Sequence, residues 1–154
     1  MICYLDTSAL VKLYVGEEGS ESVRELVSTS LVVATCKVAY AEARAALARG
    51  YREGILDEKG YHLVVGAFQH EWGSFLSLEV SDLLVKLAGD LAEKHALRGF
   101  DAMHLAAILI LSQQVKKPIT VGCWDVRLWE AVRYYDLQIL PTTKPGTHHR
   151  PAER

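Results

Sequence analysis

Four acidic residues stand where a carboxylate could do chemistry: Asp6, Glu42, Asp101 and Asp125. Asp6 closes the apolar run Ile2-Cys3-Tyr4-Leu5 and is followed by two hydroxyls, Thr7 and Ser8. Glu42 falls near the start of an alanine-rich stretch, Asp101 in the first turn of a periodic stretch opening at Phe100, and Asp125 just after Ile119-Thr120-Val121-Gly122. Carboxylates brought together without partners raise one another's pKa, so such a set either stays apart or shares a cation. No Cys or His cluster offers soft ligands, and an all-oxygen set suits a hard divalent ion, Mg²⁺ or Mn²⁺. An ion of that kind serves phosphoryl chemistry by orienting and activating water and by neutralising charge on the scissile phosphate.

Each acid also has a plainer use. Asp6, Asp101 and Asp125 all sit at expected helix starts, where Asp caps free N–H groups and complements the helix dipole. A single helical Glu is more often solvated than a ligand. Thr7 and Ser8 read first as caps, and no hydroxyl has an evident base for a Ser-His-Asp arrangement. His104 reads as a core or second-layer histidine. His148-His149 is too short a tract to assign to a metal, and Trp72, Trp124 and Trp129 read as packing residues. The chemical case rests on conjunction, with several strand ends each delivering a carboxylate to one edge.

The elements that would do the positioning follow from the hydrophobic pattern. Ile2–Leu5 reads as a buried strand entering a helix through Ala9, Leu10, Leu13 and Tyr14. Gly16 to Gly19 breaks that helix, and Ser20 is expected to cap the next, with Val23, Leu26 and Val27 inward. Leu31 to Thr35 is the second strand and Val38 to Tyr51 a helix whose small residues lie close on the sheet. After Gly54, a helix with Leu56, Leu63, Val64, Ala67 and Glu71 on one stripe runs to Trp72-Gly73, and Ser74 to Leu78 is a third strand. Ser81 caps a helix with Leu84, Leu87, Ala88 and Leu91 on one face. Leu97-Arg98-Gly99 turns the chain into the Phe100–Gln113 helix. There Asp101, His104, Leu105 and Ile108 share an inward stripe. Ile119–Gly122, a helix over Trp124–Tyr134 and a last strand at Leu137–Leu140 complete the pattern. Strands alternating with helices imply βαβ units. The expected fold is therefore three-layer α/β/α around a mainly parallel sheet, as one domain over residues 1–141 with a loose tail over 142–154. Ligands of such sheets bind beyond the carboxyl ends of the strands, where Asp6 falls.

Composition narrows the class. Half of the 154 residues are hydrophobic and 23% charged, which excludes a disordered chain. A net charge of −2 neither advertises nor excludes a nucleic-acid partner, because a basic groove can flank an acidic centre. Cys3, Cys36 and Cys123 lie in apolar runs without zinc spacing and read as buried thiols of a reduced cytosolic protein. No stretch spans a bilayer and the start carries no basic leader, so a cytoplasmic protein without a membrane is expected.

Four blocks in order resemble the PIN-domain ribonucleases, in particular VapC-type toxins of toxin–antitoxin pairs. They are Tyr4-Leu5-Asp6-Thr7-Ser8-Ala9-Leu10-Val11-Lys12-Leu13-Tyr14, Tyr40-Ala41-Glu42-Ala43-Arg44-Ala45-Ala46-Leu47, Phe100-Asp101-Ala102-Met103-His104-Leu105-Ala106-Ala107 and Val121-Gly122-Cys123-Trp124-Asp125-Val126-Arg127-Leu128. The resemblance runs to about Pro141. It implies that Asp6, Glu42, Asp101 and Asp125 bind Mg²⁺ or Mn²⁺, with water as nucleophile and RNA as substrate. It further implies a hydroxyl of Thr7 or Ser8 near the metal, a homodimer, and an antitoxin whose C-terminal segment fills a groove beside the site. One position departs from the pattern: Cys123 stands where the family usually places Thr or Ser, and a thiol is a weak donor. That leaves Asp125 less secure than the other three acids. Arg44, Arg98 and Arg127 flank the blocks and serve phosphate or solvent.

Two other readings compete. One is a catalytically silent PIN-like module that binds RNA or a partner, motivated by Cys123 and the modest charge. The other is an α/β enzyme such as a dehalogenase-type phosphatase, which needs a second Asp where this chain has Ser8. A phosphoreceiver lacks its paired early acids here.

Overall fold

The computed structural model describes residues 1–146. Five strands, β1 (Ile2–Leu5), β2 (Val32–Cys36), β3 (Leu76–Leu78), β4 (Ile119–Gly122) and β5 (Gln138–Leu140), pair in the order β3-β2-β1-β4-β5. Every pairing is parallel, with Tyr4 beside Ala34 on one side and Val121 on the other. The chain builds outward from β1 to β3, then crosses to β4 and β5, so the topological switch falls between β1 and β4. That is where open α/β sheets take ligands. Strand β1 is buried along its whole length, as a central parallel strand must be.

Alternation along β1 divides the core in two. Ile2 and Tyr4 face a layer made by α5 (Asp82–His95), α6 (Gly99–Gln114) and α7 (Val126–Tyr134). Cys3 and Leu5 face α1 (Thr7–Val11), α2 (Ser20–Ser28), α3 (Val38–Arg52) and α4 (Glu58–Trp72). The α6 helix is wrapped on nearly every side: Ala102, Leu105, Ala106, Ala107 and Ile108 are all fully buried. Deleting a side chain such as Leu105 would cost about 2–5 kcal/mol. A helix fixed that firmly holds Asp101 and His104 in place.

Two glycines are required by close approach. A Cβ on Gly122 would lie 2.9 Å from a Leu5 methyl, so the end of β4 can meet α1 and β1 only without a side chain. Gly19 has φ +90 and would place a Cβ 2.6 Å from the Trp124 ring.

The helices differ from expectation in two places. Gly19, not Ser20, is the N-cap of α2. The Ser20 hydroxyl turns back instead, accepting from the Glu17 N–H and donating to the Val15 carbonyl, which locks the α1–α2 loop. In α4 the stripe is rotated by about one residue: Phe68 is fully buried while Leu63 is 64% exposed and Ala67 and Glu71 are exposed. The aromatic cluster of Tyr14, Tyr40, Phe68, Trp72 and Phe75 decides that face. Strand β3 is shorter than expected and β2 starts at Val32, leaving Leu31 outside.

All three cysteines are free and buried, as their apolar settings imply. Trp129 donates its indole N–H to the Pro141 carbonyl, Lys144 pairs with Glu130, and Pro145 is buried. His148 and His149 lie outside the described residues. Among the described residues no helix is long and apolar enough to cross a membrane.

Candidate active site

Asp6 sits where β1 gives way to α1 and is only 3% exposed. Its main-chain N–H donates to the Gly122 carbonyl, tying it to the end of β4. Its carboxylate caps α1 by accepting from the Ala9 N–H at 2.9 Å. The Ser8 hydroxyl donates to both carboxylate oxygens at 2.7 and 2.9 Å, and the Cys123 thiol to Oδ2 at 3.2 Å. Burial pushes the carboxyl above its ordinary range, and His104 and these donors pull against it without reversing the shift. Asp6 therefore both caps a helix and belongs to the acidic set. Ser8 is not a cap; its oxygen also accepts from the Trp124 N–H at 2.9 Å, stitching the first acidic block to the fourth.

Glu42 projects from the first turns of α3. Its Oε1 accepts from the Thr7 hydroxyl at 2.7 Å and from His104 Nε2 at 3.0 Å. Burial raises its carboxyl, but the His104 and Thr7 hydrogen bonds outweigh that, and the net shift is downward. Thr7 is thus no cap either; it bridges Glu42 and His104, whose Nε2 is 3.1 Å from the same hydroxyl. On its other side, His104 Nδ1 meets the Tyr4 hydroxyl at 2.7 Å.

Asp101 lies in the first turn of α6 and is half-buried. Its carboxyl is pushed up to about 6, first by burial and then by the charges of Asp125 and Asp6, with Glu42 adding a little. Asp125 is the N-cap of α7, its Oδ1 accepting from the Leu128 N–H at 3.0 Å. Cys123 is fully buried, with its thiol shared between Asp6 and the Asp125 carbonyl. Burial and the neighbouring Asp6 charge keep that thiol protonated, so it stays a donor.

The charges of Asp6, Asp125 and Glu42 are all felt at Asp101, so the four acids gather around one region of the molecule. None bonds to another. Among the described residues no three acidic, His or Cys side chains stand close enough to grip an ion as they are placed. The surplus negative charge and the carboxylate oxygens fit a hard divalent cation between them, because the Cys123 thiol stays protonated and both His104 nitrogens are already hydrogen-bonded. Beside this space opens a groove of about 1080 Å³ lined by Thr7, Ser8, Lys12, Glu42, Arg49 and Trp124 among others.

Two residues of this region escape pattern reading. Tyr4 is fully buried in an apolar strand, and a buried phenol needs a partner. Its strand face, the one that meets α6, was the available signal. Lys12 is 6% exposed, paired with Glu17 at 2.9 Å and lying 5.1 Å from the centre of the Trp124 ring. Of the flanking arginines, Arg44 turns to the Tyr40 hydroxyl and ring rather than to the acids. Trp124 packs against Gly19 as well as lining the groove.

Comparison with known proteins agrees with this construction. The PIN domain profile matches residues 3–114. Ribonuclease VapC45 of Mycobacterium tuberculosis (strain CDC 1551 / Oshkosh) is 32% identical over 140 residues, which is 91% of this chain and 95% of that protein. Ribonuclease VapC49 of Mycobacterium tuberculosis (strain ATCC 25618 / H37Rv) matches to the same extent. Among solved structures, FitAcB from Neisseria gonorrhoeae superposes with a TM-score of 0.62 at 19% identity, covering 90% of this chain and 96% of that one. Mycobacterium tuberculosis VapC20, described as a sarcin-ricin loop cleaving toxin, superposes with a TM-score of 0.61 at 16% identity, covering 84% and 94%. The chain belongs to the PIN-domain family and, within it, to the VapC type. Ribonucleases of that type generally depend on a divalent metal ion.

Proposed function

We propose that this protein is a metal-dependent endoribonuclease that hydrolyses RNA phosphodiesters as the toxin of a toxin–antitoxin pair. Asp6, Glu42, Asp101 and Asp125 hold Mg²⁺ or Mn²⁺. The observation that carries this reading is Asp101. Its carboxyl is lifted to about 6, first by burial and then by the charges of Asp125 and Asp6, which outweigh the opposing His104. A cation is the economical answer to that repulsion.

When bound, such an ion supplies positive charge for the scissile phosphate and favours ionisation of a water molecule. The chain's own residues do the rest. Ser8, Cys123 and the Ala9 N–H fix both oxygens of Asp6. Thr7 and His104 fix one oxygen of Glu42. Asp101 and Asp125 approach from the helix starts opposite. The groove of about 1080 Å³ beside the acids would take the RNA, and Arg49 and Arg52 in its lining would meet phosphates, although Glu17, Glu18 and Glu53 share that lining. The relatives support the assignment: VapC45 and VapC49 are ribonucleases by name, and solved neighbours include a toxin–antitoxin complex from Klebsiella pneumoniae and VapBC2 from Rickettsia felis. On that basis the cellular partner is a cognate antitoxin, and the family resemblance adds a homodimer as the working unit. The silent-module reading drew on Cys123 and the modest charge; the thiol does hold Asp6 Oδ2, so the substitution leaves that oxygen with a donor.

The test is cleavage of a pooled RNA with Mn²⁺ by the wild type and by Asp6→Asn. Cleavage lost in a variant with an unchanged circular dichroism spectrum is the expected outcome. Full cleavage by the variant would refute the site, and a wild type that binds Mn²⁺ and RNA without cutting would return the silent module.

A further inference from the structure

A chain of buried hydrogen bonds runs behind the acidic set. It starts in the middle of the sheet and ends on one carboxylate oxygen. Tyr4, fully buried on β1, places its hydroxyl 2.7 Å from His104 Nδ1. The two rings meet edge to face, at 81° with centroids 5.9 Å apart. His104, 1% exposed on α6, places Nε2 3.0 Å from Glu42 Oε1. The Thr7 hydroxyl closes the loop by donating to the same oxygen at 2.7 Å.

The direction of these bonds follows from chemistry. A carboxylate only accepts, so Nε2 carries the ring proton toward Glu42. In the neutral imidazole Nδ1 is then an acceptor, and the Tyr4 phenol is its donor. The phenol thus selects the tautomer that faces Glu42. Both bonds to Glu42 fall on Oε1, and among the described residues none falls on Oε2, although Glu42 lines the groove. The arrangement pins one oxygen of a flexible side chain and leaves the other free to take a ligand. Outer partners of ligating carboxylates act in this way, and their loss lowers metal affinity by about 10–100-fold.

We propose that Tyr4 and His104 are positioning residues that hold Glu42 in the orientation in which it takes the cation. This rests on the reading of Glu42 as a metal ligand. A packing role alone does not ask for this pair. Phe and Leu would fill the same apolar space at positions 4 and 104 without a tautomer to control or a polar ring to satisfy.

The experiment is calorimetric Mn²⁺ titration of the purified wild type, Tyr4→Phe, His104→Gln, His104→Leu and Glu42→Gln, with thermal unfolding of each in chelator. Tyr4→Phe removes only a hydroxyl, so it remains folded even where a His104 variant does not. Mn²⁺ affinity is expected to fall severalfold in Tyr4→Phe and about 10–100-fold in His104→Leu. His104→Gln, which keeps a donor, should fall between them. Unchanged affinity in a folded Tyr4→Phe and in either folded His104 variant overturns the positioning role while leaving the metal site standing. Equal Mn²⁺ affinity in the wild type and Glu42→Gln, or no binding in the wild type, removes Glu42 as a ligand and the positioning role with it.

Discussion

Glu42 and Asp101 approach the same space from opposite sides, each half-buried, and their carboxyls move in opposite directions. Glu42 is held below its ordinary range because two donors, His104 and Thr7, outweigh burial. Asp101 rises to about 6 because burial is joined by Asp125 and Asp6 and opposed only by the more weakly felt His104. Similar burial with opposite outcomes shows that neighbours decide, not depth. Glu42 finds donors for one oxygen within the protein. Asp101 carries a repulsion that, on the proposed function, a cation would relieve.

The contrast is broken most severely by removing charge. Asp101→Asn and Asp6→Asn should each reduce RNA cleavage on the order of 10²–10³-fold, the scale of losing one preorganised electrostatic group, as followed by initial rates with saturating Mn²⁺.

Stability should divide the two sides by sign. In chelator at pH 7.5, Asp101→Asn should be more stable than wild type by on the order of 1–3 kcal/mol, because it removes an ionised group whose pKa stands near 6 instead of 3.8. Glu42→Ala should be less stable by about 1–3 kcal/mol, because His104 loses the acceptor for a buried N–H. Urea unfolding of both variants checks the pair, and matching signs would erase the contrast.

pH sharpens it further. The folded Asp101 carboxyl titrates above an unfolded one, so its ionisation costs stability as pH rises past 3.8, and the cost is complete above about 6. Glu42 does the reverse. Its folded carboxyl titrates below 4.5, so its contribution is present above 4.5 and lost as pH falls through the lower folded value. The stability advantage of Asp101→Asn should therefore shrink as pH falls from 7 through 6 toward 4, and Mn²⁺ should abolish it at pH 7.5.

The smallest effect belongs to Cys123→Ser. A hydroxyl would replace a thiol already donating to Asp6 at 3.2 Å. Cleavage should change only within a few fold, and a large gain would mean that the thiol had been limiting.

Much of the fold was legible because β1 is an unbroken apolar run ending on Asp6 and because α6 is a long stretch, apolar nearly all round, that can only be a central helix. The four acidic blocks were legible for the same reason: each follows a strand or opens a helix. Other features depend on contacts between distant parts of the chain. The buried face of α4 is set by Phe68 meeting Tyr14, Tyr40 and Trp72, which no spacing within Glu58–Trp72 reveals. Ser20 resembles a cap, yet the positive φ of Gly19, packed against Trp124, moves the cap back by one residue. Thr7 and Ser8 look like caps for equally local reasons. Their hydroxyls are instead drawn to Glu42 and Asp6 by the convergence of α3 and β4 on α1.

The most direct measurement is a calorimetric Mn²⁺ titration of metal-free wild type beside Asp101→Asn at pH 7.5. Saturable binding in the wild type that disappears in Asp101→Asn is the expected result, and it would mark the charged side of the space as the seat of the cation. Binding equally strong in Asp101→Asn, or none in the wild type, would mean that the four acids serve as caps and surface charge and that the nuclease assignment of this site is wrong.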